Sequence, residues 1–352
     1  MFLKKVKDNT LSYYIQDYLD RYIRRERGLS ERTYEAYNTA FQQLIKFLYQ
    51  RLRNRNAKVS MDNFTAENIL AFLDDLKNEG ISVSTRNQRL YAIKSFCRYV
   101  RIKSPNRLYN IDQILDIEKK KARLPVIQYL SAHQLEMLLE MPNRSNKQGF
   151  HDLVLISVLA DTGARVSELV SMLVCDVRLD KPAQIKVHGK GGKDRYVNIS
   201  ENTVKMLKIL FKEENLRSPV NLNRNLFLNQ CHEPLTRAGV AYILQKYTTK
   251  LHTKCPASFP KKLTPHCLRH TKAMLMLEAG QNLIYIRDTL GHSSIKTTEI
   301  YARVNSKQKQ NALDAVNSKI KSTDITTVDY KNDKTARDWL INYCSLSTPV
   351  SI

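Results

Sequence analysis

Apolar side chains recur at helical spacing through the first hundred residues. In TLSYYIQDYLDRYIRRERG the apolar positions are Leu11, Tyr14, Ile15, Tyr18, Leu19, Tyr22 and Ile23, a stripe along one face of a helix. Thr10 is placed to cap it and Gly28 to stop it. A second stripe, Tyr34, Tyr37, Phe41, Leu44, Ile45 and Leu48, begins at Ser30. A third helix follows Thr65 in AENILAFLDDLKNEG, and STRNQRLYAIKSFCRYVRI is a fourth. The pattern breaks over 104–128. SPNRLYN opens that stretch with a Pro turn, and EKKKARLP at 118–125 is charged and Pro-bounded, so the whole reads as an exposed linker. Helical spacing resumes over 129–320 with one interruption. In AQIKVHGKGGKDRYVNIS (183–200), Ile185 and Val187 alternate on one side of a GKGGK turn and Val197 and Ile199 on the other, the pattern of a β-hairpin. Residues 321–352 are polar until WLINYC at 339–344, an apolar patch suited to docking on a partner surface. The pattern predicts a mainly α chain with a small antiparallel β-sheet. It divides into a helical domain 1–103, a linker 104–128, a mixed α+β domain 129–320 and a tail 321–352.

Charge changes the picture most. Lys and Arg number 57 against 34 Asp and Glu, a formal +23 over 352 residues. Such a balance points to a polyanionic partner, nucleic acid first. Residues 1–103 alone carry 20 basic and 11 acidic side chains. The basic ones gather at helix ends, Arg86 and Arg89 among them, where they can straddle a duplex backbone. Lys119, Lys120, Lys121 and Arg123 suit the same task. The six Cys (97, 175, 231, 255, 267, 344) show no CxxC spacing, which argues for free thiols and against a zinc site or a disulfide framework. No apolar run reaches the ~20 residues of a membrane span, and the N-terminus lacks the apolar core of a signal peptide.

Four stretches carry candidate chemistry. In TPHCLRH, Thr264 is an N-cap and Pro265 falls at the first helical position. His266 and Arg269 then share a face in the first turn, where free N–H groups favour an anion. The helix ends at Gly280. In DTGARVSELV (161–170) a helix beginning near Ala164 puts Arg165 in its first turn. That placement opposes the macrodipole, and Glu168 can hold the guanidinium by an i,i+3 pair. Lys190 stands in the Gly-rich turn, with Lys193 as a near competitor. In LGHSSIKTTEIYARV, Gly291 caps a helix, His292 follows in the turn, and a short helix presents Tyr301. Taken singly, each stretch also reads as a solvated basic turn, a surface ion pair or one tyrosine among many.

Taken in order, TGARVSEL, GKGGKDR, TPHCLRHTKAMLMLEAG and LGHSSIKTTEIYARV resemble the catalytic domain of tyrosine recombinases, the phage-integrase and Xer-like family. GLSERTYEAYNTAFQQLIKFL and STRNQRLYAIKSFCRYV resemble that family's SAM-like core-binding domain. The resemblance spans about residues 10–310, and His292 and Tyr301 keep the usual spacing of nine. It implies that Tyr301 is the nucleophile, forming a 3′-phosphotyrosine link to DNA. Arg165 and Arg269 would clamp the phosphate, His292 would add a hydrogen bond, and Lys190 would protonate the 5′-oxygen. His266 would assist the tyrosine's proton, and Glu168 would orient Arg165. It further implies no metal, no ATP and no cofactor. The expected partners are double-stranded DNA with specific recombination sites, a homo-tetramer exchanging strands through a Holliday junction, and accessory DNA-bending factors. Its expected location is the cytoplasm, at the nucleoid. Residues 1–10 are too short for the arm-binding domain of larger phage integrases, so core-site binding alone is expected. Integration or excision of a mobile element is the favoured role, and Xer-like dimer resolution the alternative. A type IB topoisomerase-like enzyme, a non-catalytic DNA-binding protein of the same fold and a basic RNA-binding protein are the rivals.

Overall fold

A computed structural model describes residues 10–51, 59–103, 108–122, 127–189, 191–304 and 338. The chain forms two compact units, residues 1–125 and 126–352.

In the first unit, α1 (Leu11–Asp17) runs into a π-helical segment (Tyr18–Glu26), followed by α2 (Glu31–Arg51), α3 (Ala66–Asn78), α4 (Val83–Lys103) and α5 (Leu108–Asp116). The stripe read from the sequence is the buried face: Leu11, Ile15, Tyr18, Leu19 and Ile23 all lie in the core. Phe96 sits at its centre, with Tyr18, Phe41 and Phe64 at 5.3–5.4 Å between ring centroids, all edge-on, the preferred aromatic geometry. Thr10 occupies the N-cap position, but its hydroxyl caps nothing. The ladder then widens, the Arg27 N–H reaching the Tyr22 carbonyl at 2.8 Å. Gly28, at φ +54°, ends the segment as expected.

The linker expectation is corrected here. Residues 108–116 are helical, and Ile111, Ile114 and Ile117 are buried in the first unit's core. Their i, i+3 spacing is a helical signal that Pro105 and the cation run obscured. Lys120 is also tied to this unit: its backbone and the Asn87 side chain exchange hydrogen bonds of 2.8 and 3.1 Å, and its Nζ lies 3.3 Å from Asp74.

The second unit contains α6 (Ala132–Glu140), α7 (Lys147–Thr162), α8 (Val166–Val170), β1 (Val177–Arg178), β2 (Gln184–His188), β3 (Asp194–Asn198), α9 (Glu201–Glu213), α10 (Arg237–Lys254), α11 (Pro265–Glu278), α12 (Leu283–Leu290) and α13 (Glu299–Val304). α7 is buried on nearly every face from Asp152 to Ala160. The Asp152 carboxylate survives there because the Tyr247 hydroxyl, Lys246 Nζ and Gln148 Nε2 all donate to it at 2.7–3.0 Å. The three strands form an antiparallel sheet in the order β1-β2-β3. The hairpin was legible in the sequence; the two-residue β1 was not. Ile185 pairs with Val197 and Val187 with Arg195, so Arg195 stands at a core-facing register position. α11 packs on α7, and α12 and α13 pack on α11. This arrangement brings the C-terminal ends of α7 and α12 to one side of α11.

Candidate active site

Thr264 caps α11 by accepting from the Cys267 N–H, and Pro265 follows at the first helical position. Both roles were readable from TPHCLRH. Arg269 emerges from this rigid turn but is 2% exposed. Its Nη1 donates to the Gly163 carbonyl at 2.8 Å and its Nη2 to the Leu290 carbonyl at 2.6 Å. Those carbonyls close α7 and α12, where the helix macrodipoles present negative charge. Both helices end in left-handed glycines, Gly163 at φ +56° and Gly291 at φ +65°. A Cβ on Gly163 would stand 2.8 Å from the Leu290 side chain, so a glycine is required for the approach. Burial, with Arg165 nearby, lowers the Arg269 pKa to about 10. The group therefore remains a cation at neutral pH.

Arg165 lies one position outside the helix expected to contain it. α8 begins at Val166 and Arg165 is its N-cap residue. Glu168 makes this arrangement: one carboxylate oxygen accepts the Arg165 backbone N–H at 2.9 Å, and the other accepts Arg165 Nη1 at 2.7 Å. Arg195, which the sequence reading missed, donates Nη2 to the same carboxylate at 2.8 Å and Nε to the Thr289 carbonyl at 2.8 Å. An arginine alternating with Val197 on the inward face of β3 was the available signal. Burial pushes the Glu168 carboxyl up. The hydrogen bonds from Arg195 and Arg165 outweigh it and leave the pKa below the usual carboxylate range. Glu168 thus stays ionised between two guanidinium groups.

The remaining side chains converge on Tyr301, which α13 places 1% exposed. His270 Nδ1 lies 2.9 Å from its hydroxyl. His292 lies nearly parallel to the phenol, with ring centroids 6.4 Å apart, and its Nδ1 pairs with Thr298 Oγ1 at 2.9 Å. His266, expected at the tyrosine, sits one ring further back, 5.6 Å from His270 between centroids. His270 was also missed. Its signal was the i+4 spacing from His266, which puts both on one face of α11. Burial, then the neighbouring cationic and imidazole groups, brings His270 and His292 down to about 4. Burial followed by Arg269 and Arg165 lowers His266 as well. All three are neutral at physiological pH. Burial raises the Tyr301 pKa and Arg269 opposes the rise.

The other expected residues are less uniform. Lys190 lies outside the described residues. The hairpin around it is held by the Gly189 N–H to the Lys193 carbonyl at 3.1 Å, with Gly191 and Gly192 at positive φ. Lys193 is exposed, as are Lys119, Lys120 and Lys121. At the base of the hairpin His188 is clamped by Asp176 at 2.9 Å and Asp194 at 3.0 Å. Arg89 is half-buried, donating Nε to Gln43 at 2.8 Å. Arg86, expected on a basic rim, is corrected: it is 4% exposed, with its Nε unpartnered among the described groups. On α4 it falls on the same buried side as Leu90 and Ile93.

Fixed guanidinium groups beside a phenol and neutral imidazoles suit a tetrahedral oxyanion that gains charge as an oxygen attacks it. Comparison with known proteins agrees with that chemistry. Residues 128–308 match the phage integrase family, and residues 15–103 match the phage integrase N-terminal SAM-like domain. The chain is 36% identical over 290 residues to the tyrosine recombinase XerC of Herpetosiphon aurantiacus, covering 80% of this chain and 88% of that one. It is 32% identical over 298 residues to the tyrosine recombinase XerD of Oceanobacillus iheyensis, covering 84% and 94%. Among solved structures, the XerH site-specific recombinase bound to palindromic difH substrate in a post-cleavage complex matches with TM-score 0.62 at 25% identity, over 80% of this chain and 79% of that one. The Tn1549 transposon integrase shares the fold, with TM-score 0.61 at 19% identity over 82% and 94%. The order of motifs, the two matched domains and relatives aligned along most of their length lead to one assignment: the chain belongs to the phage integrase family and is a tyrosine site-specific recombinase.

Proposed function

We propose that Tyr301 cuts DNA by attacking a scissile phosphate, giving a 3′-phosphotyrosine link and a free 5′-hydroxyl. The observation that carries this reading is the burial of the phenol beside neutral imidazoles within the field of the Arg269 cation. In the reaction, Arg165 and Arg269 bind the non-bridging oxygens, whose charge grows toward the pentacoordinate transition state. Planar guanidinium groups match that geometry. Glu168 positions Arg165, and Arg195 holds Glu168. With Nδ1 held by Thr298, the remaining nitrogen of His292 is available to donate to the phosphate. Lys190, on the Gly-rich hairpin, gives its proton to the departing 5′-oxygen, a poor leaving group without one. His266 supports the proton's departure from the tyrosine. The covalent link conserves the phosphodiester bond energy, so rejoining needs no further energy source.

Four such protomers on two paired DNA sites, exchanging strands through a Holliday junction, complete the proposed reaction. Lys119, Lys121 and Lys193 supply phosphate contacts that position the protein without reading sequence. Integration or excision of a mobile element is the proposed role. A second reading, dimer resolution of a chromosome or plasmid, draws support from the identity to XerC and XerD relatives. A plasmid bearing two copies of the sequence bordering this gene's own locus separates them. Deletion or inversion between those copies, with none between copies of the host's chromosomal dimer-resolution site, supports the mobile-element role. The opposite pattern refutes it.

A further inference from the structure

We propose that His270 is a catalytic residue of this recombinase, accepting the Tyr301 proton during cleavage and returning it during rejoining. The inference rests on Tyr301 being the nucleophile and deepens that reading. Two imidazoles adjoin the phenol and a third stands behind them, and geometry distinguishes the three. His292 has its Nδ1 engaged by Thr298 Oγ1 at 2.9 Å. It faces the Tyr301 ring in a near-parallel stack, 12° between planes, rather than meeting the hydroxyl. His266 sits behind His270, its ring tilted by 30° and the centroids 5.6 Å apart. His270 has a ring nitrogen within 2.9 Å of the Tyr301 oxygen, inside the range a general base requires.

Rigidity and charge support the choice. His270 follows Arg269 directly on α11, a helix fixed by a Thr–Pro start and by packing against α7. The acceptor is therefore held in register with the cation that meets the phosphate. Burial and the neighbouring His266 and Arg269 keep its imidazole neutral, and only a neutral imidazole has a lone pair to receive a proton.

The step balances without an added reagent. The Tyr301 O–H bond breaks, its proton goes to His270 Nδ1, and the phenolic oxygen forms a bond to phosphorus. The bond from phosphorus to the 5′-oxygen breaks as that oxygen takes a proton from Lys190. In rejoining, a 5′-hydroxyl attacks the phosphotyrosine and gives its proton to the now neutral Lys190 amine, the bond from phosphorus to the phenolic oxygen breaks, and the His270 imidazolium protonates the departing phenolate. Because one group serves both directions, its loss must slow both.

The test uses the full-length protein under single-turnover conditions. Cleavage is followed as covalent adduct on a nicked suicide substrate, and rejoining as release of the adduct by an added 5′-hydroxyl strand. His270→Gln keeps a hydrogen-bonding group but is not a base. It is compared with His270→Ala, with Tyr301→Phe and with wild type at matched DNA occupancy. The proposal expects His270→Gln to slow both steps by roughly 100-fold or more, with DNA affinity and thermal midpoint near wild type. Cleavage by His270→Gln or His270→Ala at the wild-type rate or faster overturns it, and His270 is then only a latch on the resting tyrosine. Slowing of cleavage alone, with rejoining intact, also overturns it. If Tyr301→Phe still forms adduct, the nucleophile assignment fails instead, and the two failures are told apart.

Discussion

Replacing Glu168 by Gln tests how the cationic pocket is held. The carboxylate is almost fully buried and accepts from Arg165 backbone, Arg165 Nη1 and Arg195 Nη2 at 2.7–2.9 Å. The Arg165 side chain is 37% exposed and the Arg195 side chain only 9%. Solvent therefore screens the first pair, and the second carries most of the effect. A hydrogen bond to a buried charged group contributes about 1.5–3 kcal/mol. For a unit of this size each kcal/mol moves the midpoint by roughly 2–4 °C, so calorimetry should show a fall of about 3–12 °C. Glu168 titrates below the usual carboxylate range in the folded chain. Its contribution is thus fully present above the unfolded value of about 4.3 and is lost as pH falls through the lower folded value. The gap between wild type and Glu168→Gln should close on acidification. Cleavage should also slow, by up to ~100-fold if Arg165 shifts by about 1 Å. A variant with the wild-type midpoint and the wild-type cleavage rate would refute the claim that this carboxylate organises both arginines.

Three further outcomes are expected. Gly291→Ala meets both a positive φ, costing about 1–2 kcal/mol, and Arg195, whose Nη1 lies 2.9 Å from the new Cβ; Gly28→Ala meets a positive φ with nothing within 4 Å. Urea unfolding should show the larger loss at Gly291, and equal losses would contradict the close approach. Thr298→Val strips the buried partner from His292 Nδ1, so chemical denaturation should register a loss of about 1–3 kcal/mol together with slower cleavage. His188 has a raised pKa because of its hydrogen bonds to Asp176 and then Asp194. Its stabilising effect is fully present below about pH 6.5 and fades as pH rises through the raised folded value. The urea-midpoint difference between wild type and His188→Gln should shrink from pH 6 to pH 9, and a constant difference would remove the clamp from the account.

The legible parts of the site are those whose cause is local. Thr264, Pro265 and Gly291 act on their own helix ends, so sequence alone placed them. The hairpin at 183–200 likewise carries its alternation and its turn in one segment. What escaped depends on partners distant in sequence. Arg195 matters because β3 register turns it inward toward Glu168, 27 residues earlier. His270 matters because α13 brings Tyr301 to it across 31 residues. Arg165 was placed one position too deep because its backbone is extended, at φ −68° and ψ 150°, and the Glu168 side chain, distant from it by three residues, takes its N–H. Arg86 was read as a rim cation because charge suggests exposure, yet its position on α4 follows the buried stripe. The helix at Leu108–Asp116 was hidden between a proline and a run of lysines, where composition outweighed a short apolar period.

The central claim is that Tyr301 forms the covalent bond to DNA. Full-length protein would be incubated with nicked suicide DNA from the borders of its own locus, in EDTA, and the SDS-resistant adduct digested and mapped by mass spectrometry. The account predicts an adduct whose nucleotide remnant sits on the peptide containing Tyr301, absent from Tyr301→Phe. A remnant on any other tyrosine, or an adduct that persists in Tyr301→Phe, would contradict it.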